Sequence, residues 1–201
     1  MVPTINSRLQ SMVRAMQDVV LPALDADNAI AQEQGKLVLG SLSLLLGQID
    51  YAHTFEVIEA RDLCALLAEI AAMAQTSRLT EVALEAVQTE LNQARSLIEI
   101  ATTPVHVLQQ VNHDLRDALA HLIEQIERVG SRELARALAL RVLDFSATQL
   151  TRERSWVAGT GFDPPGSVPD IPTALSDSTT KHAARGEGGF ASRSGFSRDG
   201  A

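Results

Sequence analysis

Apolar residues recur every three or four positions through most of the chain, as far as about residue 158. This spacing places them on one face of an α-helix, whereas a half-buried strand would alternate apolar and polar residues. Only 3% of the residues are aromatic, so the core has to be built from Leu, Ala, Val and Ile. That composition favours helices, because the aromatic residues that strands prefer are nearly absent. The sequence therefore predicts an all-α fold.

Breaks in this pattern divide the chain into six predicted helices. Asp27 or Asn28 is the expected N-cap of the second helix, and Ser131 that of the sixth. Thr103 is expected to cap the fifth, with Pro104 at its first helical position. The predicted helices cover about residues 6–20, 29–52, 54–74, 77–101, 104–130 and 131–158.

The composition changes near Ala158. Segment 159–201 is dense in Gly, Pro and Ser, and it cannot bury enough apolar surface to offset the entropy lost on ordering. We therefore predict a helical bundle domain over residues 1–158 and an extended, disordered tail over 159–201. Within the tail, "FDPPGSVPDIP" is expected to lie extended along the bundle, anchored by Phe162, Val168 and Ile171.

The stretch "LVLGSLSLLLGQID", residues 37–50, has no charged residue before Asp50. As a helix, its uncharged part reaches roughly 20 Å, which is short of the ~30 Å hydrocarbon core of a bilayer. Its apolar residues point in nearly all directions around the helix axis, which is typical of a helix in the middle of a bundle. We therefore predict a central core helix here and no membrane span.

The sixth predicted helix has two apolar sides. Either this helix is also central, or one of its sides meets a second subunit. The residues of one side are Leu134, Leu138, Val142 and Phe145, and those of the other are Leu140, Leu143, Ala147 and Leu150. A homo-oligomer or a protein partner is therefore expected, with interface candidates Leu140, Leu143, Leu150 and Trp156.

The fifth predicted helix carries the residues that most resemble a metal site. His113, Asp117 and His121 follow one another at intervals of four, and imidazole and carboxylate groups are common metal ligands. The apolar residues of the same helix centre on the side opposite Asp117, so these three side chains are expected to face solvent. His113 and His121 are also two turns apart, too far for one ion. We expect no metal and no cofactor here, and keep these residues only as candidates.

The net charge of −8 argues against nonspecific binding to nucleic acid or to an anionic membrane surface, both of which require basic patches. Acidic residues are concentrated between residues 15 and 70, whereas five arginines lie between residues 132 and 154. This asymmetry is suited to steering a partner or a second copy of the chain. The alternative is that both segments are ordinary solvated faces.

Cys64 is the only cysteine, which excludes an intramolecular disulfide and a cysteine-based metal cluster. Because it lies between Leu63 and Leu66 on an apolar face, we expect it to be a small buried hydrophobe. The first residues, "MVPTINSRLQ", lack the pattern of a signal peptide. A cytoplasmic protein is therefore expected.

Residues 19–42, "VVLPALDADNAIAQEQGKLVLGSL", resemble an uncharacterised group of bacterial all-helical proteins. Members of that group are encoded near acyl-CoA dehydrogenase-like and aminoglycoside-phosphotransferase-like enzymes. The resemblance rests on a "LPAL" helix end followed by a small, apolar helix. It implies a helper role in acyl-CoA or lipid-like metabolism, and it identifies no functional residue.

Three classes of function remain open from the sequence. The favoured hypothesis is a non-enzymatic accessory or protein-interaction protein that self-associates, because no catalytic constellation is visible. The alternative is a bundle that binds an apolar small molecule, such as an acyl chain, between its Leu- and Ala-rich helices. The third is an enzyme that uses His113, Asp117 or another polar group on the surface.

Overall fold

The computed structural model describes residues 2–74, 81–129 and 131–176. Its helices are α1 (Ile5–Ala15), α2 (Leu21–Ala23), α3 (Ala29–Gln48), α4 (Ala52–Ala74), α5 (Glu81–Glu99), α6 (Val105–Val129) and α7 (Arg132–Trp156). A π-helical turn, Met16–Val20, joins α1 to α2 in one rod, and a 3-10 turn, Ala158–Thr160, follows α7. Since the described residues contain no strand, the all-α prediction is confirmed. Of the tail that was predicted to be extended and disordered, residues 159–201, the part 177–201 lies outside the described residues.

Two of the predicted N-caps are confirmed. The side chains of Asn28 and Ser131 each accept a hydrogen bond from the backbone N–H three residues later, at 3.0 and 3.2 Å. The prediction for Thr103 is wrong, because its hydroxyl donates to the Leu97 carbonyl at 2.7 Å and so closes the end of α5. The carbonyl of Pro104 begins the hydrogen-bonded turns of α6 instead.

Helices α4 to α7 form an up-and-down four-helix bundle, which we call the body. Contacts of Phe55 with Trp156 and of Glu69 with Arg141 show that α4 and α7 run antiparallel. Helix α4 lies at the centre, since it packs extensively on α5, α6 and α7. Its most deeply buried apolar residues, none more than 1% exposed, are Ala60, Leu63, Leu67, Ile70 and Ala74.

Helices α1 to α3 form a helical hairpin, which we call the arm. The amide of Asn6 donates to both carboxylate oxygens of Asp50, at 2.9 and 2.8 Å, so the start of α1 lies beside the end of α3. Gly35 is buried at the contact with α2, where a Cβ atom would lie 2.6 Å from Leu21 Cδ2. Within the described residues, the arm packs extensively only on itself and on the 3-10 turn. Gln48 adds one hydrogen bond to the carbonyl of Trp156, at 2.8 Å.

The prediction of a central core helix over residues 37–50 is wrong. Gly35 is the one buried residue of α3, and Leu37 and Leu45 are 57% and 49% exposed. The central helix is α4, which is also apolar on most sides. Helix periodicity shows which sides of a helix are apolar, but it does not show whether the same chain supplies enough helices to cover them. For α3, the rest of the arm covers only part of the surface.

The segment after α7 returns to the body. Arg154 donates to Asp163 at 3.1 Å, and this bond lowers the pKa of the Asp163 carboxyl. Residues 171–176 form a helical turn, and Leu175 is buried against a small apolar cluster, with Ile171 packed beside it. Phe162 is 89% exposed, so the expectation that it anchors this segment is wrong. Ile171, one of the expected anchors, does contact the body.

No helix in the described part of the chain is both long and apolar enough to cross a membrane.

Candidate functional site

Helix α3 presents an apolar surface that nothing in the described chain covers. We call it the α3 face. At 100° per residue its members fall within about a third of the helix circumference. They are all at least 37% exposed: Ile30, Leu37, Val38, Leu45 and Ile49. Large apolar side chains grouped in this way are typical of an interaction surface, since soluble monomers rarely expose large contiguous apolar patches.

Helix α1 adds a second row of exposed apolar residues to the arm. Ile5 and Met12 are 65% and 52% exposed, and Val19 in the π-helical turn is 65% exposed. The three are spaced by seven residues, which keeps them close to one side of the rod. The arm therefore exposes apolar residues on both of its long helices.

Helix α7 has a third exposed apolar row, which we call the α7 seam: Leu140, Leu143, Ala147 and Leu150. Its spacing of three, four and three residues matches the a and d positions of a coiled coil. The opposite side of α7, with Leu138 buried, packs into the body. Three interface candidates from the sequence therefore lie exposed on one row.

The fourth candidate, Trp156, lies elsewhere. It is half-buried, and its ring centroid is 4.5 Å from that of Phe55, with the planes tilted by 41°. Together with Tyr51 and Ile171 it packs against the small apolar cluster of Phe55, Ile58 and Leu175, which holds the segment after α7. The structure thus places Trp156 against Phe55 of α4 and away from the α7 seam.

The arm and α7 carry opposite charge. Residues 2–50 contain five acidic and three basic side chains, and residues 131–156 contain three acidic and five basic ones. Part of this charge is already paired, since Arg141 binds Glu69 at 2.9 Å and Arg152 binds Asp62. Arg132 and Arg136, near the start of α7, remain exposed beside the α7 seam.

A cleft of about 310 Å³ lies between α4, α6 and α7, and we call it the polar cleft. Glu59, only 3% exposed, forms an ion pair with Arg116 across it. Glu56 Oε1 accepts from the amide of Gln109 at 3.0 Å. The other lining residues are Phe55, Asn112, Glu153, Trp156 and Val157. The cleft thus combines several polar groups that point to one place with an aromatic wall formed by Phe55 and Trp156. Sites for small ligands commonly have this composition.

His113, Asp117 and His121 lie on the exposed face of α6, so the prediction that they face solvent is confirmed. His113 Nε2 is 3.6 Å from Asp117 Oδ2, and both side chains are more than 60% exposed. Among the described residues, no group of three or more His, Cys, Asp or Glu side chains is arranged to hold a metal ion. This pair is an ordinary surface contact between residues one helical turn apart.

A wider groove, of about 650 Å³, lies between α5 and α6. Val87 and Leu122 are buried beneath it and give it an apolar floor. Its polar lining includes Glu90, Asp114, Asp117 and His121. The groove is therefore apolar below and mostly acidic above.

Cys64 is buried in the main core at 5% exposure, as predicted. Burial raises the pKa of its thiol to about 11, which keeps it protonated at neutral pH. A thiol in this state is a poor nucleophile.

The polar cleft was missed by sequence reasoning, although a signal for it exists. Glu59 stands between Ile58 and Ala60, and Leu63 follows one turn later, so its carboxylate lies on a face that is otherwise apolar. Asn112 interrupts the apolar row of α6 in the same way. Polar residues inside an apolar row are informative, because burial of such groups requires partners.

No protein-family model, curated protein or solved structure matches the chain. The resemblance of residues 19–42 to bacterial helical proteins therefore stays a prediction, and the function is argued from the residues themselves.

Proposed function

We propose that this chain is a non-enzymatic protein-interaction protein that forms a homodimer through its arm. The observation that carries the proposal is the α3 face, an apolar surface on a helical hairpin that packs only sparsely on the body. Burying such a surface against a second copy stabilises the dimer by about 25 cal/mol for each Å² of apolar area. The Leu-rich α3 face is well suited to a helix–helix contact.

The partner surface we propose for the α3 face is the α7 seam of the second copy. A two-fold axis would then create this contact twice, as in most homodimers. Charge supports the pairing, because the arm is net acidic and α7 is net basic. The heptad-like spacing of the seam supports it as well, since this spacing suits packing against a long helix.

The test is the mass of the protein in solution, measured by sedimentation velocity across a range of concentrations. We expect a dimer for the wild type and a monomer for Leu37→Glu/Leu45→Glu, which places charge in the α3 face. Leu140→Glu/Leu143→Glu should also give a monomer. Phe162→Glu is the matched control, because Phe162 is a large apolar residue that is exposed outside both surfaces; it should remain dimeric.

A wild type that stays monomeric at every concentration would contradict the proposal. If only the α3 variant is monomeric, the dimer forms between two α3 faces and the pairing with α7 is wrong. Circular dichroism of each variant shows whether the helices remain folded.

The groove between α5 and α6 favours a second candidate function, the binding of an apolar small molecule. Its floor is apolar, but the carboxylates of Glu90, Asp114 and Asp117 would repel a fatty-acid carboxylate. The ligand suited to it is therefore an uncharged chain, such as an acyl ester. Decyl acetate should raise the melting temperature more than decanoate does, and equal effects of the two would argue against this site.

The proposed cellular location is the cytoplasm. The only cysteine, Cys64, is free and buried, which is compatible with a compartment where thiols are kept reduced. A helper role in acyl-CoA or lipid-like metabolism is compatible with either candidate function and rests on the resemblance of residues 19–42 alone.

A further inference from the structure

Two carboxylates of the polar cleft lie without a cationic partner among the described ion pairs. Glu56 accepts hydrogen bonds from the amides of Gln109 and Asn112, at 3.0 and 2.8 Å. Glu153 accepts one from the amide of Gln149, at 3.1 Å. Amides are neutral, so these bonds orient the carboxylates and leave their charges in place. The cleft is therefore negative even though Glu59 is matched by Arg116.

Asn112 adds a second, independent feature to the cleft, a buried acceptor that is not paired. The residue is only 1% exposed, and it lines the cleft. Its Nδ2 donates both to the Glu56 carbonyl and to the Glu56 carboxylate, which fixes the orientation of the amide. Among residues 2–74, 81–129 and 131–176, none donates a hydrogen bond to its buried Oδ1. Buried acceptors in folded proteins are nearly always paired, so a ligand with an N–H donor would complete the hydrogen bonding of this oxygen.

An aromatic wall completes the cleft. The rings of Phe55 and Trp156 are in contact, and both residues line the cavity. The face of an indole ring attracts ammonium and guanidinium groups through its quadrupole, and Trp is the strongest of the aromatic residues in this respect. Each unmatched feature of the cleft thus favours the same type of ligand, one with positive charge and several N–H donors.

We propose that the polar cleft binds an organic cation, an alkylammonium or alkylguanidinium group. Its N–H bonds are directed to the carboxylates of Glu56 and Glu153 and to Asn112 Oδ1, and its charged group lies against the ring of Trp156. A volume of about 310 Å³ is at the small end of ligand sites, which suits such a group with a short chain. This chemistry occurs both in free amines and in the side chains of Arg and Lys in a peptide. The site goes beyond the proposed dimer and does not depend on it.

Trp156 provides the readout, because it is the only tryptophan of the chain. We would titrate the full-length protein with n-propylguanidinium and follow the Trp156 emission. We expect a saturable change in emission. The affinity derived from it should fall as salt is added, because salt screens the attraction between the charges. The neutral analogue n-propylurea, which has nearly the same shape, should produce no saturable change. An equal response to the urea, or no saturable response to the guanidinium at millimolar concentrations, would overturn the proposal.

The variant Glu56→Gln/Glu153→Gln removes both unmatched charges with little change in shape. We expect its affinity for n-propylguanidinium to fall at least about tenfold, which is the size of effect seen when a charged hydrogen-bond partner is removed. Glu124→Gln is the matched control, because Glu124 is an exposed glutamate of α6 paired with Arg128; it should bind as the wild type does. If the double variant fails to fold, the single variant Glu153→Gln provides the test. Glu153 is exposed, so this substitution should leave the fold intact. Unchanged affinity in the charge-removing variants would show that the cleft is not the site.

A second titration distinguishes the two sources of the cation. The peptide acetyl-Gly-Arg-Gly-amide carries the same guanidinium on a protein-like backbone. Tighter binding of the peptide than of n-propylguanidinium would identify a partner's side chain as the ligand, and the reverse order would identify a free amine or guanidine. The variant Leu140→Glu/Leu143→Glu should bind either probe as the wild type does, so failure of the dimer proposal would leave this result unchanged.

Discussion

Arg152 of α7 and Asp62 of α4 form an ion pair inside the body, although ninety residues separate them in sequence. Their side chains are 1% and 12% exposed, and Gln149 accepts a second bond from the same Arg152 nitrogen, at 2.8 Å. Nε and Nη1 of Arg152 are buried and have no hydrogen-bond partner in the described part of the chain. The guanidinium therefore lies at a point where α4 and α7 meet, with its charge matched and its hydrogen bonds incomplete.

Replacing Arg152 by Ala should strongly destabilise the fold. The change removes the guanidinium from Asp62 and opens a cavity, and breaking a buried ion pair typically costs about 3–5 kcal/mol. Urea denaturation followed by circular dichroism measures the loss. Arg128→Ala is the control, since its pair with Glu124 is exposed and should contribute only about 0–1 kcal/mol. Similar losses in the two variants would show that Arg152 is not buried as described.

Leu175→Ala should destabilise the protein, whereas Phe162→Ala should not. Leu175 is 5% exposed in the cluster with Phe55 and Ile58, and truncating a buried leucine costs about 2–5 kcal/mol. Phe162 is 89% exposed, so its removal should change stability by less than about 0.5 kcal/mol. Trp156 emission reports directly on this cluster during urea denaturation. The opposite ranking would indicate that the segment after α7 is anchored by Phe162.

The stability of the fold should decrease above about pH 9 because of Cys64. Burial raises the pKa of its thiol from 9.0 in an exposed chain to about 11 in the folded protein. Between these two values the unfolded chain releases the proton and the folded chain keeps it, so the free energy of unfolding falls as the pH rises. The loss should reach about 2 kcal/mol by pH 11. Below pH 9 the thiol is protonated in both states, and the stability linked to its raised pKa is fully present.

The measurement is the urea midpoint at pH 8, 9.5 and 10.5 for the wild type and for Cys64→Ala. Lys and Tyr side chains also titrate in this range, so the difference between the two proteins is the relevant quantity. It should shrink as the pH rises. A constant difference would show that the thiol is not desolvated.

His113→Ala and Asp117→Asn should leave both stability and metal content unchanged. Their contact is 3.6 Å long and solvent-exposed, and pairs of this kind contribute about 0.2–0.5 kcal/mol. Metal content is measured on protein purified without chelator, and stability by urea denaturation. Stoichiometric zinc in the wild type that is lost in either variant would restore the metal-site hypothesis.

The helices of this protein could be predicted from the sequence, and their assembly only in part. Periodicity and capping residues such as Asn28 and Ser131 are local signals, so they locate helices well. Whether a helix is central is a long-range property. The sequence around Leu37 and Leu45 on α3 is as apolar as that of α4. Only the fold shows that the arm packs sparsely on the body and leaves these two side chains exposed.

The α7 seam was predictable because the two apolar sides of one helix are visible in the sequence. The polar cleft was not, since Glu56 and Asn112 come from different helices and a single carboxylate on a helix is usually solvated. Their pairing depends on the register between α4 and α6, which no local pattern determines. The contact of Trp156 with Phe55 was not predictable for a related reason, because the two residues are about a hundred positions apart in sequence.

The sparse attachment of the arm to the body determines how the molecule opens. The 3-10 turn, the bond from Gln48 and a three-residue connection at 49–51 are the main links between them. The backbone hydrogen bonds of α1 and α3 can therefore break while those of α4 remain intact, and their amide hydrogens exchange with deuterium in an event of lower free energy than global unfolding. A second copy bound to the α3 face would slow that exchange, because a contact made only by the folded arm favours the folded arm by mass action. In the proposed dimer, the lifetime of the folded arm would therefore depend on the concentration of the protein itself.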